Sequence, residues 1–343
     1  MPRIHFFNPE NDLALALGQR RFTPPKAAVA IRRAGCLLPL WWAAPDDFVL
    51  VDSPEAASGA LAMKKRYGLK AGVVTRAPSG AEPSPWGWSH YARRVFEDAG
   101  TDNSLLPDIA TLDRLRELSH RRTTIAIHRH LGTDQRLMPV EAFSLKEVTD
   151  ALDRTADAVV KLPWSSSGRG VIYSSSLPRD TFLNTVKGMI NRQGSVLIEP
   201  RYERIHDFAM LFDCHDRRVG FVGLSMFVTN GKGFYGGNLV ADGNEIIRRL
   251  GIDVDRLIPA VGEALTQVVA PHYDGPAGVD MLTYRDSHGI AAIAPCIEVN
   301  LRMTMGFAAL AIMKRLAPDR PMLLGVRADG IHLCPETLSS SIS

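Results

Sequence analysis

The sequence predicts an α/β fold, with a parallel-sheet N-terminal domain and mixed α+β structure beyond it. Three observations predict it. Across residues 1–118, short apolar strand patterns alternate with helical stretches, the arrangement of a parallel sheet with crossover helices. At Val159–Val171, two β-branched runs flank a loop rich in Ser and Gly. Further on, Gly278-Val279-Asp280-Met281-Leu282 and Ile297-Glu298-Val299-Asn300-Leu301-Arg302 read as two strands joined by a hairpin turn at Arg285–Gly289.

In the first segment, Ile4–Phe7, Phe48–Val51 and Ala71–Val74 are the strand patterns. Lys26–Arg33, after Pro24-Pro25, Pro54–Tyr67 and Ser89–Ala99 are the helical ones. The polar run Asn8-Pro9-Glu10-Asn11-Asp12 follows the first strand, where ligands of open α/β sheets bind. It serves equally as a helix start, with Asn11 or Asp12 capping Leu13–Ala16. Trp41-Trp42 and Pro85-Trp86-Gly87-Trp88 either stack on a ring-bearing ligand or anchor a core.

Next come a helix over Thr123–Leu131 and another over Ser144–Asp153, the latter with Ser144 and Glu147 at capping-box spacing. His128 and His130, two apart on a helix, point to different faces and read as solvated residues rather than a metal pair. Lys161 then ends a strand, and Ser165, Ser166, Ser167, Gly168 and Gly170 form the loop beyond it. Such a loop can aim backbone N–H groups and hydroxyls at one anion, with the lysine adding charge. An ordinary turn has the same composition, and the Walker spacing is absent.

The later strands support the anion reading. Glu298, Asn300 and Arg302 alternate with Ile297, Val299 and Leu301, so three polar groups share one strand face. With Asp280 alongside, two carboxylates and an amide oxygen suit Mg²⁺ carrying nucleotide phosphates; a solvated sheet face would alternate likewise. Phe208–Phe212 and Phe221–Val228 read as two strands joined at a polar turn around Asp216. Asn230–Asn238 is either a flap bringing Lys232 or Asn238 over the phosphates or a plain hairpin loop. Asp255–Val269 is an amphipathic helix with Leu257, Val261, Leu265 and Val268 on one face, and Phe307–Leu316 a final packed helix.

Taken in order, the lysine strand, the Ser/Gly loop, an acidic hinge at Glu199, the Asp280 strand and the Glu-x-Asn-x-Arg strand resemble the ATP-grasp superfamily over roughly residues 119–310. The resemblance implies a pre-ATP-grasp domain at 1–118 with substrate contacts, a small lobe at 119–195, and a C-terminal lobe at 196–343 holding the metal site. It implies ATP with Mg²⁺, or Mn²⁺ in its place, as cofactors. By position Arg121 would reach the phosphates, although the family more often has Lys there and Arg122 is adjacent. Lys161 and the Ser165–Gly170 loop would hold the phosphates, and Glu199 with the hinge backbone of Arg201 and Tyr202 would hold adenine. Asp207 would lie near the ribose or be a surface carboxylate, since its spacing is one residue longer than the family's. Asp280, Glu298 and Asn300 would bind the metal, while Arg302 and Lys161 would act on the reacting groups.

The activity implied is ATP-dependent carboxylate–amine ligation through an acyl phosphate, on small-molecule or peptide substrates. A kinase-type transfer to a stable acceptor, or a non-catalytic nucleotide-binding module, would use the same residues. Many members pair, which leaves the assembly open between a single chain and a homodimer.

Composition sets bounds. A chain of 343 residues, 45% hydrophobic, is long enough for two or three domains. A net charge of +3, with no dense Lys/Arg run, does not suggest nucleic acid as the partner. Four scattered cysteines without a Cys-x-x-Cys pair suggest neither zinc nor a disulfide framework. No apolar run approaches the ~20 residues of a membrane span, and the start is unlike a signal peptide, so the cytoplasm is expected.

Overall fold

The structure, a computed structural model, describes residues 1–155, 157–165, 170–229 and 235–336. Three sheets organise it. The first is parallel, in the order β3-β2-β1-β4, from β1 (Arg3–Phe6), β2 (Phe48–Leu50), β3 (Gly72–Val74) and β4 (Glu82–Pro85). Helices α1 (Asn11–Leu17), α2 (Lys26–Gly35), α3 (Ala60–Tyr67) and α4 (His90–Ala99) accompany it. Ser89 caps α4, its Oγ accepting from the Ala92 N–H. The Pro54–Tyr67 helix is shorter than expected, because a 3₁₀ turn at Glu55–Ala57 precedes α3. β4 is a strand that the sequence conceals. Its Pro83 and Pro85 are tolerated because β4 lies at the sheet edge.

Helices α5 (Ile109–Leu118) and α6 (Thr123–His130) lead to the second sheet, in the order β5-β8-β6-β7. Its strands are β5 (Val140–Ala142), β6 (Ala158–Lys161), β7 (Val171–Tyr173) and β8 (Val196–Pro200), all paired antiparallel. α7 (Leu145–Leu152) and α8 (Arg179–Gln193) cover it, burying Val148, Phe182 and Val186 against Val160 and Ile198. α7 carries the capping pair read from sequence: Ser144 Oγ accepts from the Glu147 N–H, and Glu147 accepts from the Phe143 N–H. No helix is announced by the sequence over α8, a polar segment that packs through a narrow apolar stripe.

The third sheet has seven strands, in the order β13-β12-β9-β10-β11-β14-β15. They are β9 (Glu203–His215), β10 (Arg218–Thr229), β11 (Tyr235–Val240), β12 (Gly275–Arg285), β13 (Ala291–Asn300), β14 (Met322–Arg327) and β15 (Gly330–Pro335). Asp216 and Arg217, both at positive φ, turn β9 into β10. Between β11 and β12 lie α9 (Gly243–Leu250) and α10 (Leu257–Val268). Strand alternation sends Phe208, Met210 and Phe212 to one face, where Ile127 of α6 and Val261 and Leu265 of α10 cover them. The last helix, α11 (Met305–Leu316), joins a second core in which Ala308 and Ile312 meet Trp41, Val49 and Trp86. Trp41 and Trp86 are therefore core anchors linking the first sheet to α11.

His128 departs from expectation. It is buried, bonded through Nε2 to the Cys296 carbonyl at 2.8 Å and through Nδ1 to Thr133 Oγ1 at 2.9 Å. A buried imidazole is tolerated because both ring nitrogens are satisfied. Among the described residues no helix is long and apolar enough to cross a membrane.

Candidate functional site

β12 and β13 run antiparallel in a register that sets Asp280 opposite Glu298 and Gly278 opposite Asn300. The alternation seen in sequence thus becomes a cluster. Asn300 donates from Nδ2 to Asp280 Oδ2 at 3.1 Å. Burial first, and then the charge of Glu298, raise the Asp280 carboxyl to about 7.

Two arginines flank the carboxylates. Arg121, between α5 and α6, is buried and spans two sheets: its Nη2 lies 2.9 Å from Glu298 Oε1 and donates to Ser165 Oγ at 3.1 Å. Its Nε donates to the Leu162 carbonyl at 3.0 Å. Arg122 turns the other way, to His120 and, at 3.1 Å, to Glu141. Arg302 makes a two-pronged pair with Asp12 of α1, Nε to Oδ1 at 2.9 Å and Nη2 to Oδ2 at 2.7 Å. The sequence holds no sign of that partner, 290 residues away.

On the second sheet, Lys161 of β6 lies opposite Leu197 of β8, and its ammonium reaches Glu199 Oε2 at 2.5 Å. Both residues are buried. Burial lowers the Lys161 ammonium below its ordinary range, with Glu199 opposing the shift. Among the described residues Glu199 Oε1 is buried with no hydrogen-bond partner. An orphaned acceptor at the hinge fits a purine amino group, since such an atom otherwise pays full desolvation.

Beyond the hinge, the Arg201 N–H donates to the Asp157 carbonyl at 3.1 Å and its side chain to Asp157 Oδ2 at 3.0 Å, over the Tyr173 ring. The Tyr202 ring packs on Tyr284, centroids 4.6 Å apart. Asp207, on β9, accepts from Arg204 at 3.3 Å. Ser165 and Gly170 bound the loop after β6; Gly170 has φ +69°, and its carbonyl accepts from the Leu162 N–H at 2.9 Å. Ser166, Ser167, Gly168 and Lys232 lie outside the described residues. Asn238 is built into the large sheet, buried, donating to Ser225 Oγ at 2.8 Å.

The loop after β1 is not a side-chain helix cap, because α1 begins at Asn11 with Glu10 as an uncapping N-cap. Its Glu10 instead pairs with buried Arg32, which also donates to Tyr91 and, toward the surface, to Asp52. A narrow cleft gathers Asn11, Asp12, Ser165, Glu298, Asn300 and Arg302. A wider cavity, about 750 Å³, shares no residue with it and is lined by Trp42, Trp86 and Phe307 among others.

Among the described residues no group of three or more His, Cys, Asp or Glu side chains is gathered for a metal. The set here is two carboxylates and an amide, hard oxygen donors that fit Mg²⁺ when phosphate oxygens complete the shell.

No family model matches the chain, and no curated protein matches it. Solved structures do. N5-carboxyaminoimidazole synthetase from Staphylococcus aureus is 10% identical at TM-score 0.50, covering 97% of this chain and 80% of that one. Phosphoribosylamine–glycine ligase from Thermotoga maritima is 11% identical at TM-score 0.50, covering 91% of this chain and 71% of that one. These neighbours are ATP-dependent ligases with the ATP-grasp fold. At such identity the likeness concerns the fold: a mixed α/β chain with one parallel and two antiparallel sheets.

Proposed function

With the ATP-grasp fold as premise, we propose that this chain is an ATP- and Mg²⁺-dependent ligase that activates a carboxylate for attack by an amine. The observation that carries this reading is the reach of Arg121. One guanidinium touches Ser165 of the loop after β6 and Glu298 of β13, so the phosphate loop and the carboxylates serve one ligand.

In this reading residues 1–118 present the substrates, and 119–195 and 196–343 clasp the nucleotide. Glu199 accepts from the adenine amino group, with Arg201 and Tyr202 at the hinge and Asp207 near the ribose. Lys161, Arg121 and the loop that includes Ser166, Ser167 and Gly168 neutralise the phosphates electrostatically. Asp280, Glu298 and Asn300 hold the cation, which supplies charge neutralisation at the transferring phosphoryl group. A substrate carboxylate oxygen takes the γ-phosphoryl and ADP leaves. The amine then attacks the acyl carbon, phosphate departs and the nitrogen loses a proton. Lys161 acts by charge rather than as a nucleophile. Arg302, held by Asp12, offers its remaining N–H edge to the carboxylate being activated. The substrates are small molecules or peptides.

Calorimetry with MgATP tests the reading. Micromolar, Mg²⁺-dependent binding to the wild type that weakens in Glu298→Gln, followed by phosphate release only when an acid and an amine are both supplied, is the expected outcome. A folded wild type that binds no nucleotide overturns it.

A further inference from the structure

Three chain segments meet at Arg302. Asn8 donates to the Gly87 carbonyl at 2.8 Å and accepts from the Gly87 N–H at 3.3 Å. The next carbonyl back, of Trp86, accepts from the Met303 N–H at 2.8 Å. Gly87 has no room for a side chain: a Cβ there would lie 2.5 Å from Asn11 Nδ2 and 3.1 Å from Arg302 Cβ. The ends of β1 and β4 are thereby pressed against the end of β13. The result is the bidentate Asp12–Arg302 pair, both side chains about 15% exposed or less.

The local charges make that pair consequential. Three carboxylates, Asp12, Asp280 and Glu298, meet two guanidinium groups, Arg121 and Arg302. Arg121 is spent on Glu298 and Arg302 on Asp12, which among the described residues leaves Asp280 with only the Asn300 amide. Arg302 is close enough to act electrostatically on both Asp280 and Glu298. Without Asp12, its guanidinium would turn to the carboxylate that lacks a cation.

We propose that Asp12 is a positioning residue that occupies the Arg302 fork and so keeps Asp280 free for a divalent cation beside the Arg121-paired Glu298. This rests on the cation reading of the site under Proposed function. It makes that site depend on the first sheet being seated on the large one, through Asn8, Gly87 and Asp12. The loop after β1 then acts on the cation without touching it.

The test uses the full chain and Mn²⁺ as the probe, with free ion read by electron paramagnetic resonance in the presence and absence of ADP. Asp12→Asn lowers Mn²⁺ affinity by about tenfold, the size typical of a lost outer partner of a metal site. Adding Arg302→Met to it restores the affinity, which a merely loosened fold would not do. Wild-type affinity in Asp12→Asn, or a double variant no better than the single, overturns the proposal while leaving the cation site standing. A folded wild type that takes up no Mn²⁺ removes the site and the proposal together. If Asp12→Asn does not fold, Arg302→Met alone decides: affinity at or above wild type supports the proposal, and a loss overturns it.

Discussion

Asp280 and Glu298 stand directly opposite each other on β12 and β13, two carboxylates in one cross-strand pair. Like charges so placed destabilise a sheet unless a cation or a proton intervenes. Burial and the facing Glu298 carboxylate push the Asp280 carboxyl up to about 7, against ~4 for an unfolded aspartate. Between those values the folded chain holds a proton that the unfolded chain releases. The contribution is complete below pH ~4 and is lost as the pH rises to ~7, at up to about 1.4 kcal/mol per pH unit. Asp280→Asn removes this slope and is more stable than wild type at pH 8 by about 1–3 kcal/mol. Urea unfolding at pH 5 and pH 8 without divalent ions checks it; an identical pH dependence in wild type and variant counts against it.

Lys161 and Glu199 form a buried pair. Removing one partner strands the other's charge, so Lys161→Met costs about 3–5 kcal/mol. Lys161→Met combined with Glu199→Gln recovers most of that, because no ion is left unpaired. Denaturant midpoints of the two variants, compared with wild type, measure the difference.

Gly170 sits at φ +69°, and a Cβ on it would lie 2.6 Å from Leu162 Cδ1. Gly170→Ala therefore costs about 1–3 kcal/mol, from left-handed strain and overpacking. Leu162 also supplies the carbonyl that Arg121 holds, so nucleotide affinity falls in the same variant. A thermal melt and an ATP titration check the two effects.

Of the four cysteines only Cys334 is exposed. Burial pushes the Cys36 thiol up to about 11 and Cys214 up to about 12, and raises Cys296 as well. The thiolate is the reactive form, so a thiol reagent at pH 8 labels one cysteine in the native chain and all four in guanidinium. Rapid labelling of Cys36 or Cys214 in the folded protein would contradict this.

Local pattern carried much of the fold. The β6–β7 unit, the β12–β13 hairpin, the Ser144 cap and the apolar face of α10 were legible because each expresses itself within a few residues. Less local elements were hidden. β4 carries two prolines and is a strand only because β1 offers it an edge. His128 reads as a surface histidine until Cys296, 168 residues away, supplies the carbonyl that lets it be buried.

The same division runs through the candidate site. Glu298 and Asn300 share a strand face by the period of two, Asp280 follows from the hairpin, and Arg302, read as a strand residue, lies just past the end of β13 at Asn300, so sequence alone pointed to where these groups gather. It determined nothing about their partners. Whether Arg121 or Arg122 turns inward, that Glu199 takes Lys161 and keeps one oxygen bare, and that Asp12 closes on Arg302 were decided by the packing of three sheets. A strand's periodicity is a property of neighbouring residues. An ion pair belongs to whichever charges the tertiary fold buries side by side, and burial makes each of them need the other.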